Sequence, residues 1–162
     1  MTATDETTWT GPGALERQEI LRRTTSVAMV GASANPARAS NFVATYLLSS
    51  TDFDVYFVNP NAEEILGKPV WPSLDALPVT PDLVDVFRRP EDLDDVLDDA
   101  IRVGTSTFWT QFGLYDEALA RRGEAAGLTV VMDRCLKVEH ARFHGGLHLA
   151  GFNTGVISSR RR

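Results

Sequence analysis

Five short apolar or β-branched runs constrain this chain more than any other feature. They are Val27–Val30, Val55–Val58, Leu83–Phe87, Ser106–Trp109 and Thr129–Met132. None alternates strictly between polar and apolar residues, which is how a strand covered on both faces reads. Helical patterns separate them. Phe42, Val43, Tyr46 and Leu47 share one face over 41–48. Leu93, Val96, Leu97, Ala100 and Ile101 share one face over 91–102, opposite Asp92, Asp95, Asp98 and Asp99, a run expected to be a solvated face. A third helix is expected over 116–126, stopping near Gly127, and a fourth over 137–143. A short helix near Leu15–Leu21 covers the sheet edge or leads into it. Strands alternating with helices imply right-handed βαβ crossovers. The expected fold is α/β: a Rossmann-like doubly wound sheet of about five parallel strands with helices on both faces.

Length and charge bound the rest. The 162 residues suit one domain, and 43% hydrophobic with 23% charged residues is ordinary globular composition. A net charge of −6 disfavours nucleic acid as a partner. No segment reaches about 18 continuous apolar residues, so no membrane span is expected. The single cysteine, Cys135, excludes a disulfide framework within the chain. Without the apolar core of a signal peptide near Met1, the expected compartment is the cytoplasm. Residues 1–13 read as a flexible arm, 14–149 as the folded domain and 150–162 as a tail.

In a doubly wound sheet, ligands bind beyond the carboxyl ends of the strands, where strand order reverses. The first run enters Gly31-Ala32-Ser33-Ala34-Asn35-Pro36-Ala37-Arg38-Ala39-Ser40. Small residues admit a phosphate to the backbone, and the next helix offers free N–H groups. Arg38 can fork onto phosphate oxygens, and Ser40 can cap the helix or donate to a phosphate. The other reading is a plain strand-to-helix turn. Laid over G-x-G-x-x-G, Ser33 and Pro36 replace the second and third glycines. After the second run, Asn59-Pro60 stands where a NAD site wants an acid for the ribose hydroxyls. Phe87 and Arg88 follow the third run, Gln111 and Gly113 the fourth, and Arg134, Cys135 and Lys137 the fifth. Trp109 reads equally well as core.

These loops together resemble the small CoA-binding domain proteins, single-domain relatives of the amino-terminal domain of the succinyl-CoA synthetase alpha subunit. The resemblance rests on G-A-S-x-x-P-x-R-x-S at 31–40, V-N-P at 58–60 and V-D-V-F-R-x-P at 84–90, with W-x-Q-x-G at 109–113 and D-R-C-L-K-x-E-H at 133–140. It implies coenzyme A or an acyl-CoA as ligand. Gly31, Ala32, Ser33, Pro36, Arg38 and Ser40 would face the pyrophosphate. Asn59, Pro60, Phe87 and Arg88 would flank the adenosine. Trp109, Gln111 and Gly113 would line the path of the pantetheine arm, with Cys135 beside it.

The resemblance covers only the synthetase's CoA-binding domain, and no counterpart of its second domain with the phosphorylated histidine is expected within these 162 residues. His140, His144 and His148 are spaced for one helix face, but no H-E-x-x-H accompanies them, and the expectation is histidine at the surface or capping, without metal. Cys135 could form a mixed disulfide with the CoA thiol, or be an inert cysteine. The expected function is a CoA-binding module that does no chemistry alone and either senses its small-molecule ligand or serves a partner protein, as a monomer or homodimer. The alternatives are an acyl-CoA enzyme or thiol-redox protein using Cys135, and a NAD(P)-binding redox sensor.

Overall fold

The computed structural model describes residues 8–143. Helix α1 (Ala14–Arg23) leads into β1 (Ser26–Val30), α2 (Ala39–Ser50) and β2 (Asp54–Val58). A hairpin follows, β3 (Glu64–Ile65) and β4 (Lys68–Trp71). Then come β5 (Leu83–Val86), α3 (Leu93–Val103), β6 (Thr107–Thr110), α4 (Glu117–Ala125), β7 (Thr129–Val131) and α5 (Leu136–Phe143). The strands form one sheet in the order β3-β4-β2-β1-β5-β6-β7. All neighbours run parallel except β3 on β4. The chain winds outward from β1 through β2 to β4, then returns to place β5 on the other side of β1. The reversal therefore lies between β1 and β5.

The count of seven strands corrects the expected five. The five expected runs are β1, β2, β5, β6 and β7. The two additions are only two and four residues long, and β4 contains Pro69. They escape a pattern search because proline is depleted in strands and tolerated mainly near sheet edges. Their turn, Leu66-Gly67, has positive φ at both residues, 51° and 78°. That is type I′ geometry made without the usual Asn-Gly signal.

Alternation along the strands divides the core into two layers. Ala28, Val30, Val84, Val86 and Phe108 pack under α3 and α4. Val27, Met29, Leu83, Trp109 and Val131 pack under α1, α2 and α5. Helix α3 buries Leu93, Val96, Leu97 and Ala100, as its periodicity predicts. Its acidic face is cross-linked rather than simply solvated. Arg122 of α4 reaches Asp98 at 2.6 Å and Asp94 at 3.1 Å, and Arg102 ties Asp75 to Asp99.

The expected arm lies partly outside the described residues, but its end is held. Trp9 Nε1 donates to Glu124 Oε2 of α4 at 3.0 Å, and the Tyr115 hydroxyl donates to the Trp9 carbonyl at 3.0 Å. Of the three histidines, His144 and His148 fall outside the described residues with the tail. His140 corrects the surface expectation. It is buried, its Nδ1 is 2.8 Å from the Tyr46 hydroxyl, and its ring meets Phe53 edge-on.

Helix α1 docks on α5 through a buried ion pair. Arg17 Nε donates to Glu139 Oε1 at 2.7 Å, and Arg17 Nη1 donates to the Pro12 carbonyl at 2.9 Å. Removing the carboxylate strands a buried guanidinium, which costs far more than an exposed pair returns. Glu139→Ala is expected to lower stability by about 3–5 kcal/mol in urea unfolding, and the double variant Arg17→Met, Glu139→Leu by clearly less.

Candidate functional site at the carboxyl edge

Gly31 is the pivot of this edge. The β1 ladder runs one residue further on each side, from Gly31 N–H to the Val58 carbonyl at 2.9 Å and from Phe87 N–H to the Val30 carbonyl at 2.8 Å. Gly31 then turns with φ +88°, and a Cβ there would sit 2.5 Å from the Phe87 carbonyl oxygen and 2.8 Å from Arg88 Cδ. Only glycine permits both the turn and the approach.

Side chains stitch the following loop closed. Ser40 Oγ accepts from Ser33 N–H at 3.0 Å, Ser33 Oγ from Asn35 N–H at 3.0 Å, and Asn35 Oδ1 from Ala37 N–H at 2.9 Å. Asn41 Nδ2 donates to the Ser33 carbonyl at 3.1 Å. Ser40 thus anchors the loop and is not the helix cap, since Arg38 occupies that position with no side-chain cap bond. Helix α2 carries no acidic residue in its first turn. The exposed Arg38 side chain has no ion pair among the described residues. Positive charge is therefore left uncompensated at this helix start.

Asn59 differs from its expected role against a base or ribose. Its Nδ2 donates to the Ala32 carbonyl and its Oδ1 accepts from Asn61 N–H, both at 2.8 Å. It ties the loop after β2 to the loop after β1. Beside it lies a cleft of about 210 Å³ lined by Val30, Val58, Pro60 and Arg88 and also by Asp92, Asp95 and Asp99, so its charge is net acidic. Among the larger hollows, two of about 480 and 490 Å³ involve Thr129 at the start of β7 and Thr25 just before β1, at the amino ends of the strands.

Phe87 does not share the cleft with Arg88. Consecutive residues point to opposite faces, and Phe87 packs on the layer under α1, α2 and α5. Arg88 faces the cleft and makes a long contact with Asp92, 3.4 Å from Nη2 to Oδ2. Trp109 is fully buried in the layer under α1, α2 and α5, with its Nε1 donating to the Arg134 carbonyl at 2.8 Å. This corrects its placement along the pantetheine path, because a sealed ring offers a ligand no surface. It supports the loop that carries Cys135 instead.

Thr110 and Asp133 join the last two loops. Asp133 N–H donates to Thr110 Oγ1 at 3.2 Å, and Gly113 N–H donates to Asp133 Oδ1 at 2.6 Å. Gly113 has φ +93° and Asp133 has φ +61°, a conformation uncommon for a side-chain-bearing residue. Cys135 is half-buried and packs against the layer under α1, α2 and α5. Gln111, expected to face the ligand, is mostly buried, and its Nε2 donates to Asp85 Oδ1.

Asp85 was not among the expected site residues. It lies in the middle of the sheet, in register with Met29 on β1 and Trp109 on β6, and is 0% exposed. Its Oδ2 has no hydrogen-bond partner among the described residues. Burial pushes the carboxyl well above its ordinary range, only partly opposed by the Gln111 hydrogen bond. The available signal was a charge within Leu83-Val84-Asp85-Val86, an otherwise apolar run.

Comparison with known proteins now bears on this edge. A family model described as a CoA binding domain matches residues 25–141. The chain belongs to this CoA-binding domain family. It is 36% identical over 130 residues to the uncharacterized protein YneT of Bacillus subtilis (strain 168), an overlap of 80% of this chain and 96% of that one. A hypothetical protein from Pyrococcus horikoshii OT3 has a similar structure, with TM-score 0.79, 37% identity, and 83% of this chain and 94% of that chain covered. An acetyl-coenzyme A synthetase from Ca. Korarchaeum cryptofilum aligns over 69% of this chain but only 26% of its own, with TM-score 0.61 and 25% identity. The matched residues 25–141 span every loop described above.

Two outcomes test this geometry. Gly31→Ala is expected to cost about 1–3 kcal/mol in denaturant unfolding, from left-handed strain and the blocked approach to Phe87. A carboxyl raised in the folded state binds its proton more tightly there than in the unfolded chain. Its penalty is therefore absent below about pH 4 and grows as pH rises through the folded pKa. Asp85→Asn cannot titrate, so its stability should gain steadily on wild type above pH 4. A pH-independent difference between the two would rule out the raised carboxyl.

Proposed function

We propose that this chain binds coenzyme A or an acyl-CoA across the carboxyl edge of its sheet, as a binding or sensing module without chemistry of its own. The observation that carries the reading is the acid-free start of α2, where Arg38 makes no ion pair among the described residues and the stitched loop follows the turn at Gly31. Coenzyme A brings a pyrophosphate and a further phosphate, the groups such a helix start favours.

The cleft at Pro60 and Arg88 is assigned to the neutral adenine base, since Asp92, Asp95 and Asp99 on its lining disfavour a phosphate there. At about 210 Å³ it is smaller than the roughly 300–1,000 Å³ of a complete small-molecule site, so it holds one part of a larger ligand. The loops after β6 and β7, on the other face, are left for the pantetheine arm. A NAD-type reading is weakened at Asn59, where a neutral amide spent on Ala32 and Asn61 replaces a ribose-binding acid.

Thermal unfolding with added ligand tests this. Coenzyme A at 100 times its Kd is expected to stabilise the protein by about 2.7 kcal/mol, and NADH at the same concentration to leave it unchanged. Arg38→Ala should weaken coenzyme A binding about tenfold or more, the scale of a hydrogen bond to a charged group. Stabilisation by NADH alone overturns the proposal.

A further inference from the structure

Residues 8–13, ahead of α1, are built into the fold. Trp9 lies along α4. Its ring is 6.1 Å from that of Tyr115, just before the helix, and its Nε1 reaches Glu124 in the last turn. The indole packs on the core layer under α3 and α4. Gly11 then turns back over it with φ +70°, and a Cβ there would sit 2.6 Å from the indole. Only glycine permits that approach, so the turn and the seating of Trp9 form together.

Both ends of this segment lead to the ligand edge. At one end, the Tyr115 hydroxyl donates to the Trp9 carbonyl at 3.0 Å. Hydrogen bonds from Arg121, and next from the Trp9 backbone, hold the Glu117 carboxyl below its ordinary range. Tyr115 belongs to the loop after β6, whose Gly113 N–H is bonded to Asp133 of the loop after β7. At the other end, the Pro12 carbonyl accepts from Arg17. Arg17 continues to Glu139, whose Oε2 lies 3.9 Å from Arg134 Nη1 in the loop after β7. The segment thus crosses from α4 on one face of the sheet to α1 on the other, past the start of β7.

It is also the easiest part of this linkage to open. Its bonds to Glu124 and Tyr115 are exposed, and it borders a hollow of about 480 Å³ rather than a packed seam. Exposed bonds of this kind open at far less cost than the whole fold.

We propose that residues 8–13 are a clasp: closed on Tyr115 and Glu124, it holds the loop after β6 ready for the ligand, and opened, it lets that loop loosen and weakens coenzyme A binding. This rests on the coenzyme A reading and adds a control to it. A loop already ordered has less freedom to lose when the ligand arrives, so affinity rises without a new contact. The adenine cleft at Pro60 and Arg88 lies beyond β1 and makes no contact with the segment. The clasp therefore acts on the part of the ligand that extends past its nucleotide.

Hydrogen exchange and calorimetry on the full chain test the clasp together. Trp9→Ala and Gly11→Ala are each expected to speed exchange of the Gly113 and Leu114 amides about tenfold. Each should also weaken coenzyme A about fivefold, the scale of one net hydrogen bond. Adenosine 3′,5′-bisphosphate, which lacks the pantetheine arm, should bind both variants as it binds wild type. Tyr115→Phe, which loses only the hydroxyl's bond to Trp9, should move both readings the same way by less. Glu124→Gln, whose amide oxygen still accepts from the indole, should stay close to wild type. Unchanged exchange at Gly113 and Leu114 overturns the proposal. So does faster exchange with no loss of coenzyme A affinity, or an equal loss for both ligands, the mark of general destabilisation. Should Trp9→Ala not fold, Tyr115→Phe decides by the same comparison. A wild-type chain that binds no coenzyme A refutes the broader reading and the clasp's role with it, an outcome separate from any confined to the variants.

Discussion

The approach of Gly31 to the Phe87 carbonyl is the constraint on which the ligand edge depends. It closes the sheet at the point where strand order reverses and starts the first loop in a direction no other residue can take. Ser33, Asn35, Ser40 and Asn41 then hold that loop by bonds to one another. Helix α2 begins where these bonds end, so its positive end is placed by the turn at Gly31.

The two core layers give the edge two unlike sides. Beyond the layer under α3 lies a small cleft with Pro60 and Arg88. Beyond the other lie Phe87, Gln111 and Cys135, with Asp85 beneath them. A ligand with a nucleotide at one end and an extended arm at the other matches this division, since it can cross the β1 turn and meet different chemistry on each side.

The central strands were legible because each is buried on both faces and therefore reads as an unbroken apolar run. The hairpin was not, since two and four residues carrying a proline have no period to detect. The loops were recognisable as loops, but most of their polar side chains are spent within the protein. Asn59 and Ser40 look like ligand contacts in the sequence, and in the structure both also fasten the loops to each other. Strand alternation alone would have separated Phe87 from Arg88. Asp85 was visible as a charge where none belongs, yet its partner is 26 positions away, and that distance hides the pair from any local pattern.

Bonds from Asn59 to Ala32 and from Asp133 to Gly113 run between loops rather than within them. The edge is thus one continuous rim rather than a set of independent segments. Loops usually tolerate insertion because nothing else depends on their path. Here a residue added to the loop after β7 would disturb the loop after β6, and one added after β2 would disturb the first turn. Members of this fold that take different ligands would have to alter neighbouring loops together, by substitution more readily than by change of length.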